Sequence, residues 1–556
     1  MTLFKTFSKN KILFHFLYII LITVYNLYLV DAPSPFLSEN DSLWFVEKAN
    51  TILSGNWLGP YDKMTLIKNP FYPIFLSFIK FSGFNYSLII LILFQISIFF
   101  FINSLNFNNL FLKIIFFTVI FFYPEQFTTY KATVIREDLE IIFLLIFSGS
   151  MGYILNKNKI NFIFMVAFIS SLALINKDSG TAWMASFIFA FIFFVLKNYR
   201  KISNKRIIVY LLLSLIILKT PTYFVRGLNS KYYQFNGTNI FFSSKYSKVY
   251  ESLISIRPVN YKPNKLRNPI DNSTINAILN IPGENDVKGI LNLLQTKYQW
   301  YKLQSTSLPN WGSGLMWGLL YSFLDYYDEK YQTLKSGKNI NVAAEKFISE
   351  VTNLCKKNIE TLNCKTYGKG YIQSPDLWSS KNPLVEVISN IPNFFLKYVY
   401  WSFGEQSNPL TLAPRNDDIH WISGREKEAH FLLSQLNYSK EKYYEYRLSS
   451  HTLKILNIFS YCIRYGIFLF CLFLIMKIKK FNNKNLLRTM KHYHFSIFLV
   501  ILFLLHNLTY YLFYLLILKR GYKYIVITGA MISPILISVI TNLMTKQQDT
   551  NTHQIS

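Results

Sequence analysis

Charge is scarce in this chain. Asp, Glu, Lys and Arg make up 16% of its 556 residues, against about 25% in an ordinary soluble protein. Carboxylates are scarcer still: 30 Asp and Glu stand against 58 Lys and Arg, a formal charge of +28. Four Cys exclude a disulfide scaffold, and 21 Gly exclude a collagen-like chain. There is no P-loop, no Gly-x-Gly-x-x-Gly before a helix and no His-Glu-x-x-His. What is abundant is apolar: 51% hydrophobic and 18% aromatic. That richness excludes disorder. A charge of +28 fits nucleic-acid binding or a membrane protein with basic loops on one side, and the position of the charges decides.

A bilayer core about 30 Å thick needs roughly 20 apolar helical residues. Apolar runs lie near residues 12–30, 86–104, 110–124, 139–155, 160–175, 181–196, 207–223, 456–476, 494–516 and 523–543. The first has the basic start of a signal peptide but is too long and lacks a small-x-small cleavage site, so it reads as a retained helix. The expectation is an all-α polytopic membrane protein with about ten transmembrane helices. It divides into an N-terminal membrane module over 1–223, a soluble insert over 224–455 and C-terminal membrane helices with a tail over 456–556. No run of spanning length occurs in the insert, which reads as mostly α or α+β. Leu315 to Leu324 is apolar but short, and Val342 to Asn358 has an amphipathic helical pattern.

Basic residues in short loops orient the chain. With the N-terminus inside, the inside segments hold 18 Lys and Arg against one carboxylate, Asp549. Both termini are then cytoplasmic and the insert is extracytoplasmic, in a bacterial inner (plasma) membrane. The basic excess flanks apolar spans, which argues against a nucleic-acid partner. Cys355 and Cys364 lie in the insert, where an oxidising compartment permits a disulfide; two free thiols are the alternative. Cys462 and Cys471 read as small core residues of a span.

On this topology the short outer loops carry charge beside apolar runs, and ionisable groups there are functional candidates by default. The first outer loop, 31–85, contains Asp41, Phe45, Ala49, Leu53, Gly55, Trp57, Leu58, Lys68 and Pro70. Asp41 or Ser42 could cap a short surface helix running to Leu53 and closed by Gly55. The pattern Asp-x-x-x-aromatic-x-x-x-Ala, then Leu-x-Gly-x-Trp-Leu, then Lys-x-Pro resembles the first loop of the GT-C membrane glycosyltransferases. The nearest groups are the protein O-mannosyltransferases and lipid A aminoarabinose transferases, glycosyltransferase family 39-like. The family's Asp-Glu pair is here Asp41-Ser42.

The resemblance implies a GT-C-like fold and a catalytic base at Asp41. It extends to Arg136, Glu137 and Asp138, which open the helix after the second outer loop. The two carboxylates there match the family's acidic position and Arg136 is a candidate phosphate contact; complementing the helix N-terminus is their alternative role. Lys177 in a third turn, and Lys519 and Arg520 in the last, resemble the family's basic positions; an ordinary turn and a solvated pair are the alternatives. The insert follows seven helices, where the O-mannosyltransferases also carry a lumenal domain.

The implied activity is an integral-membrane glycosyltransferase of the cell envelope, a hexosyl- or pentosyltransferase. It would move a sugar from a polyprenyl-phosphate donor to a glycan, lipid or protein acceptor outside the cytoplasm, with inversion. Asp41, Glu137 and Asp138 would be catalytic; Lys68, Arg136, Lys177, Lys519 and Arg520 would hold the donor phosphate. No cofactor is required by this reading, which leaves room for a divalent metal ion. Asp417, Asp418 and His420 form the best metal-like cluster, more simply read as solvated surface. A transporter or flippase for a lipid-linked glycan, and a non-catalytic envelope assembly protein, are the competing classes.

Overall fold

The computed structural model describes residues 20, 39–62, 64–84, 86–105, 110–121, 136–177, 180–241, 243–259, 272–298, 311–331 and 336–364. The C-terminal spans, Lys519, Arg520, Asp417, Asp418, His420 and, apart from Ile20, the first span lie outside the described residues. Helix accounts for 77% of what is described and strand for 2%, so this part is all-α.

Two helices belong to the first outer loop of the sequence reading: α1 (Glu39–Leu53) and α2 (Phe71–Ser82). α1 begins at Glu39, so Asp41 sits inside its first turn and is not its N-cap. Gly55 does close it: at φ +82 it adopts the left-handed region a side chain disfavours. Its N–H donates to Ile52 O (3.0 Å), and Asn56 N–H to Thr51 O (2.9 Å).

Six apolar helices follow: α3 (Tyr86–Asn103), α4 (Leu110–Phe121), α5 (Glu137–Lys157), α6 (Phe162–Asn176), α7 (Gly180–Asn198) and α8 (Asn204–Tyr233). Short links between α5, α6, α7 and α8 force antiparallel neighbours. At one end of the bundle Asn156 Nδ2 donates to Ser104 O (3.1 Å), and Tyr210 OH to Asn161 Oδ1 (2.9 Å). α5 packs between α3 and α6, and α6 also meets α7 and α8. Gly149 permits the α3 contact: a Cβ there would lie 2.6 Å from the Phe100 ring and 3.1 Å from Phe101 Cα.

The outward faces are apolar. Ile188, Ile192 and Leu196 form an exposed stripe on α7, and Ile92, Ile96 and Phe99 one on α3. On α8, Ile208, Val209, Leu212, Leu213 and Ile216 are exposed. By length and composition, two described helices can cross a membrane: Asp138–Lys157, 89% buried in the bundle, and Asn204–Tyr233, 11% buried. α8 also runs on past its apolar part. The apolar run ends near 223, but the helix continues through Pro221 to Tyr233. Loss of hydropathy marks where burial in an apolar medium could stop, not where helical hydrogen bonding stops.

The described part of the insert is a helical layer. α9 (Ser244–Ile254) packs on α13 (Gly337–Lys357), and α11 (Asp286–Thr296) on α12 (Trp311–Tyr331), with α10 (Asn272–Leu279) beside α11. Leu319, Leu320, Phe323 and Leu324 are fully buried, so the short apolar run of α12 is core. β1 (Ile256–Pro258) and β2 (Leu362–Cys364) pair antiparallel, with Ile256 opposite Cys364.

Cys355 and Cys364 are joined as a disulfide with Cα atoms 5.9 Å apart, tying the end of α13 to β2. Closing so short a loop constrains the unfolded chain by about 2–3 kcal/mol. Reduction, or Cys355→Ala with Cys364→Ala, is expected to lower the unfolding free energy of the insert by that amount. Denaturant titration with and without reductant measures it; unchanged midpoints would refute it.

Asp286 is the polar centre of this layer. Its buried carboxylate accepts from Tyr326 OH (2.9 Å), Tyr327 OH (3.2 Å) and Lys330 Nζ (2.9 Å), and Lys346 Nζ lies 3.2 Å away. Its N–H donates to Glu350 Oε2 (2.6 Å). Burying a carboxylate is costly unless donors surround it, as here. Hydrogen bonds to Tyr326 first and Asp286 second hold the Lys330 ammonium well above the usual lysine range. Burial first, and then Asp286, raise the Tyr326 phenol, against an opposing pull from Lys330.

Both groups hold their protons more tightly folded than unfolded. The stability they contribute is therefore fully present below about pH 10 and is lost as the pH rises through and beyond about 10–11. Unfolding midpoints of the full chain in detergent should fall between about pH 9 and pH 11, and less steeply in Lys330→Met. Equal slopes in the two proteins would show that Lys330 is not responsible.

Candidate functional site

The end of the bundle where α5 begins and α6 stops gathers buried charge. Lys68, Arg136, Asp138, Glu140 and Lys177 are each less than a tenth exposed. They come from three places far apart in sequence: the loop before α2, the start of α5 and the residue after α6.

Phe45 is the meeting point. Lys68 Nζ and the Arg136 guanidinium carbon each lie 5.3 Å from its ring centre. Such a cation over a ring is worth about 0.5–2 kcal/mol, more when desolvated. The ring is held from behind by Trp44 (5.4 Å between centres) and by Tyr72 (5.0 Å), both edge-on. Asp41 lies one helical turn before Phe45 on α1. For Asp41 and for Glu137, the first residue of α5, the backbone position is what the structure describes.

Arg136 is fixed by a reciprocal clamp. Its Nη1 donates to Asn176 O (3.4 Å), and Asn176 Nδ2 donates to Arg136 O (3.2 Å) and Glu140 Oε1 (2.8 Å). Trp183 Nε1 donates to the other Glu140 oxygen (2.7 Å). Lys177 follows Asn176 and is 1% exposed, at a helix C-terminus where a cation is favoured. Asp138 faces another neighbour. Its Oδ2 accepts from Tyr86 OH (2.5 Å), which lies 2.8 Å from Tyr72 OH. A chain of two buried phenols therefore links Asp138 to the ring packed on Phe45.

The loop that carries Lys68 is docked on the far end of α8. Trp57 Nε1 donates to Asn229 Oδ1 (2.8 Å), and Tyr233 OH to Gly59 O (2.8 Å). Lys48 of α1 pairs with Asp62 of this loop (3.2 Å).

Lys68, Arg136 and Lys177 thus come to one end of the bundle with Asp138, and the first two share one ring. Four participants escaped the sequence reading: Glu140, Asn176, Tyr86 and Trp183. Glu140 had a legible signal, because it is a carboxylate inside an apolar run. The other three had none, since their partners are set by helix packing. Among the described residues no group of three or more His, Cys, Asp or Glu could hold a metal ion. The arrangement is two buried cations over one aromatic ring, beside a helix whose first turn bears a carboxylate.

No protein-family model matches the chain, and no curated protein or solved structure matches it.

Proposed function

We propose that the protein is an integral-membrane glycosyltransferase of GT-C type, using a polyprenyl-phosphate sugar at the extracytoplasmic face. The observation that carries this is the convergence of Lys68 and Arg136 on Phe45, one turn after Asp41.

The apolar outward stripes of α3, α7 and α8 support a lipid setting, since faces of that size are hard to keep in water. The 30 residues of α8 span about 45 Å, more than the hydrocarbon core. Its apolar part would cross the bilayer while Arg226 to Tyr233 project beyond it. The six apolar helices would be six of about ten spans, and the disulfide would lie in an oxidising compartment.

A membrane-bound donor presents its phosphate at headgroup depth, which is where this end of the bundle would sit. Lys68 and Arg136 hold the phosphodiester. An acceptor hydroxyl attacks the anomeric carbon from the side opposite the phosphate, giving inversion. Asp41 takes the hydroxyl proton as the new C–O bond forms. The bond from the anomeric carbon to the phosphate oxygen breaks with its electron pair. Polyprenyl phosphate leaves with one more negative charge than the phosphodiester carried. That charge develops beside the two cations, which stabilise it most in the transition state.

Among the described residues, the buried charges of the bundle gather at this end. A transporter favours ionisable groups near the midplane, so this distribution favours the enzyme. The test is whether purified full-length protein in nanodiscs releases polyprenyl phosphate from a labelled polyprenyl-phosphate sugar when acceptor is supplied. A reporter fused near residue 300 should also read out outside the cytoplasm; a cytoplasmic signal would overturn the topology.

A further inference from the structure

The residues that bracket Lys68 are held by the first residues of the insert. Ile240 N–H donates to Leu66 O (2.7 Å), two residues before Lys68. Asn239 Nδ2 donates to Asn69 Oδ1 (2.7 Å), one residue after it and 170 positions away in the chain. Both asparagines are buried, 2% and 4% exposed. The orientation of this contact is set further back. Asn229 Nδ2 donates to Gly237 O (2.8 Å) and Thr238 O (3.2 Å), so the turn leading to Asn239 is fastened to α8. Phe241 then continues into the insert core against Tyr246, with ring centres 6.2 Å apart.

Lys68 itself stands on a flexible four-carbon stem. Its ammonium can sit over Phe45 only if its backbone is fixed, because a buried lysine that can swing loses the advantage of preorganisation. From α1, Trp44 Nε1 donates to Met64 O (2.9 Å) and Lys48 pairs with Asp62 (3.2 Å), which fastens the earlier part of the loop. The contacts from Asn239 and Ile240 fasten the residues on either side of Lys68 itself.

We infer that Asn239 is a positioning residue for the donor-phosphate site, acting through Asn69 on Lys68, and that the insert is by this route part of donor binding. The inference deepens the donor reading above and rests on it.

The experiment titrates full-length protein in nanodiscs with polyprenyl phosphate itself, without sugar or acceptor, and compares wild type, Asn239→Ala, Lys68→Ala and the double variant. Losing one buried hydrogen bond that preorganises the cation should weaken binding about tenfold in Asn239→Ala. Lys68→Ala should weaken it about a hundredfold. The double variant should bind no more weakly than Lys68→Ala alone, because the inference has Asn239 acting through Lys68.

Wild-type affinity in Asn239→Ala overturns the inference. So does a double variant whose losses add, which is what a merely structural asparagine would give. If Asn239→Ala does not survive purification, Asn69→Ser breaks the same hydrogen bond from the loop side and carries the same expectation. A wild type that does not bind polyprenyl phosphate overturns the donor reading instead, and this inference with it.

Discussion

Asp41→Asn is expected to remove sugar transfer while leaving the protein folded and in the membrane. Asn is nearly the same size and shape as Asp but cannot accept the acceptor's proton. A positioned general base contributes about 10²–10⁴ in rate, so the fall should be of that order. The competing role is electrostatic. Asp41 lies in the first turn of α1, where a carboxylate stabilises the helix by about 0.3–1 kcal/mol. That role predicts a slightly lower unfolding midpoint with full activity. Initial rates and unfolding midpoints from one preparation separate the two. Full transfer in Asp41→Asn would remove the base from this residue.

Arg136→Ala should lower kcat/KM for the donor by about 10²–10³, the loss typical of removing one preorganised donor from a developing oxyanion. Its guanidinium lies over Phe45 while its own backbone carbonyl and Nη1 are clamped by Asn176. Both kcat and KM should suffer, because the charge on the leaving phosphate grows as the bond breaks. Arg136→Lys keeps the charge but not the planar fork, so it should recover only part of the loss. A purely structural arginine would behave differently. Its loss would lower the unfolding midpoint and leave the activity of the surviving folded protein unchanged.

Much of the helical arrangement could be read from hydropathy. The apolar runs near 86–104, 139–155, 160–175, 181–196 and 207–223 coincide with α3, α5, α6, α7 and the first part of α8. Runs of this kind are legible because a helix buried in lipid or in other helices needs apolar residues all round. The continuation of α8 to Tyr233 was not legible, because hydropathy shows only the apolar run, which ends near 223. Amphipathic period gave away α13, where Ile340, Ala344, Phe347, Val351 and Leu354 recur on one buried face.

The site was legible in parts. Lys68 and Arg136 stood out as charges beside apolar segments, and they do converge. Phe45 stood out only as the aromatic position of the first-loop pattern; nothing marked it, among 51 phenylalanines, as the ring both cations approach. Asn239 was invisible for a similar reason: a polar residue after an apolar helix looks solvated until its partner, 170 positions away, is known. The tyrosines linking Asp138 to Phe45 show the same limit. Residue type can announce a charge in the wrong medium, but packing alone reveals what holds it.

The central claim is that this chain moves sugar from a lipid phosphate. Its most direct measurement is turnover of an anomerically defined, labelled polyprenyl-phosphate sugar by the wild-type protein in nanodiscs, against glycan, lipid and protein acceptors. The account predicts stoichiometric release of polyprenyl phosphate and a glycosylated product of inverted configuration. Donor left intact with every acceptor class, by protein that binds polyprenyl phosphate normally, would contradict it.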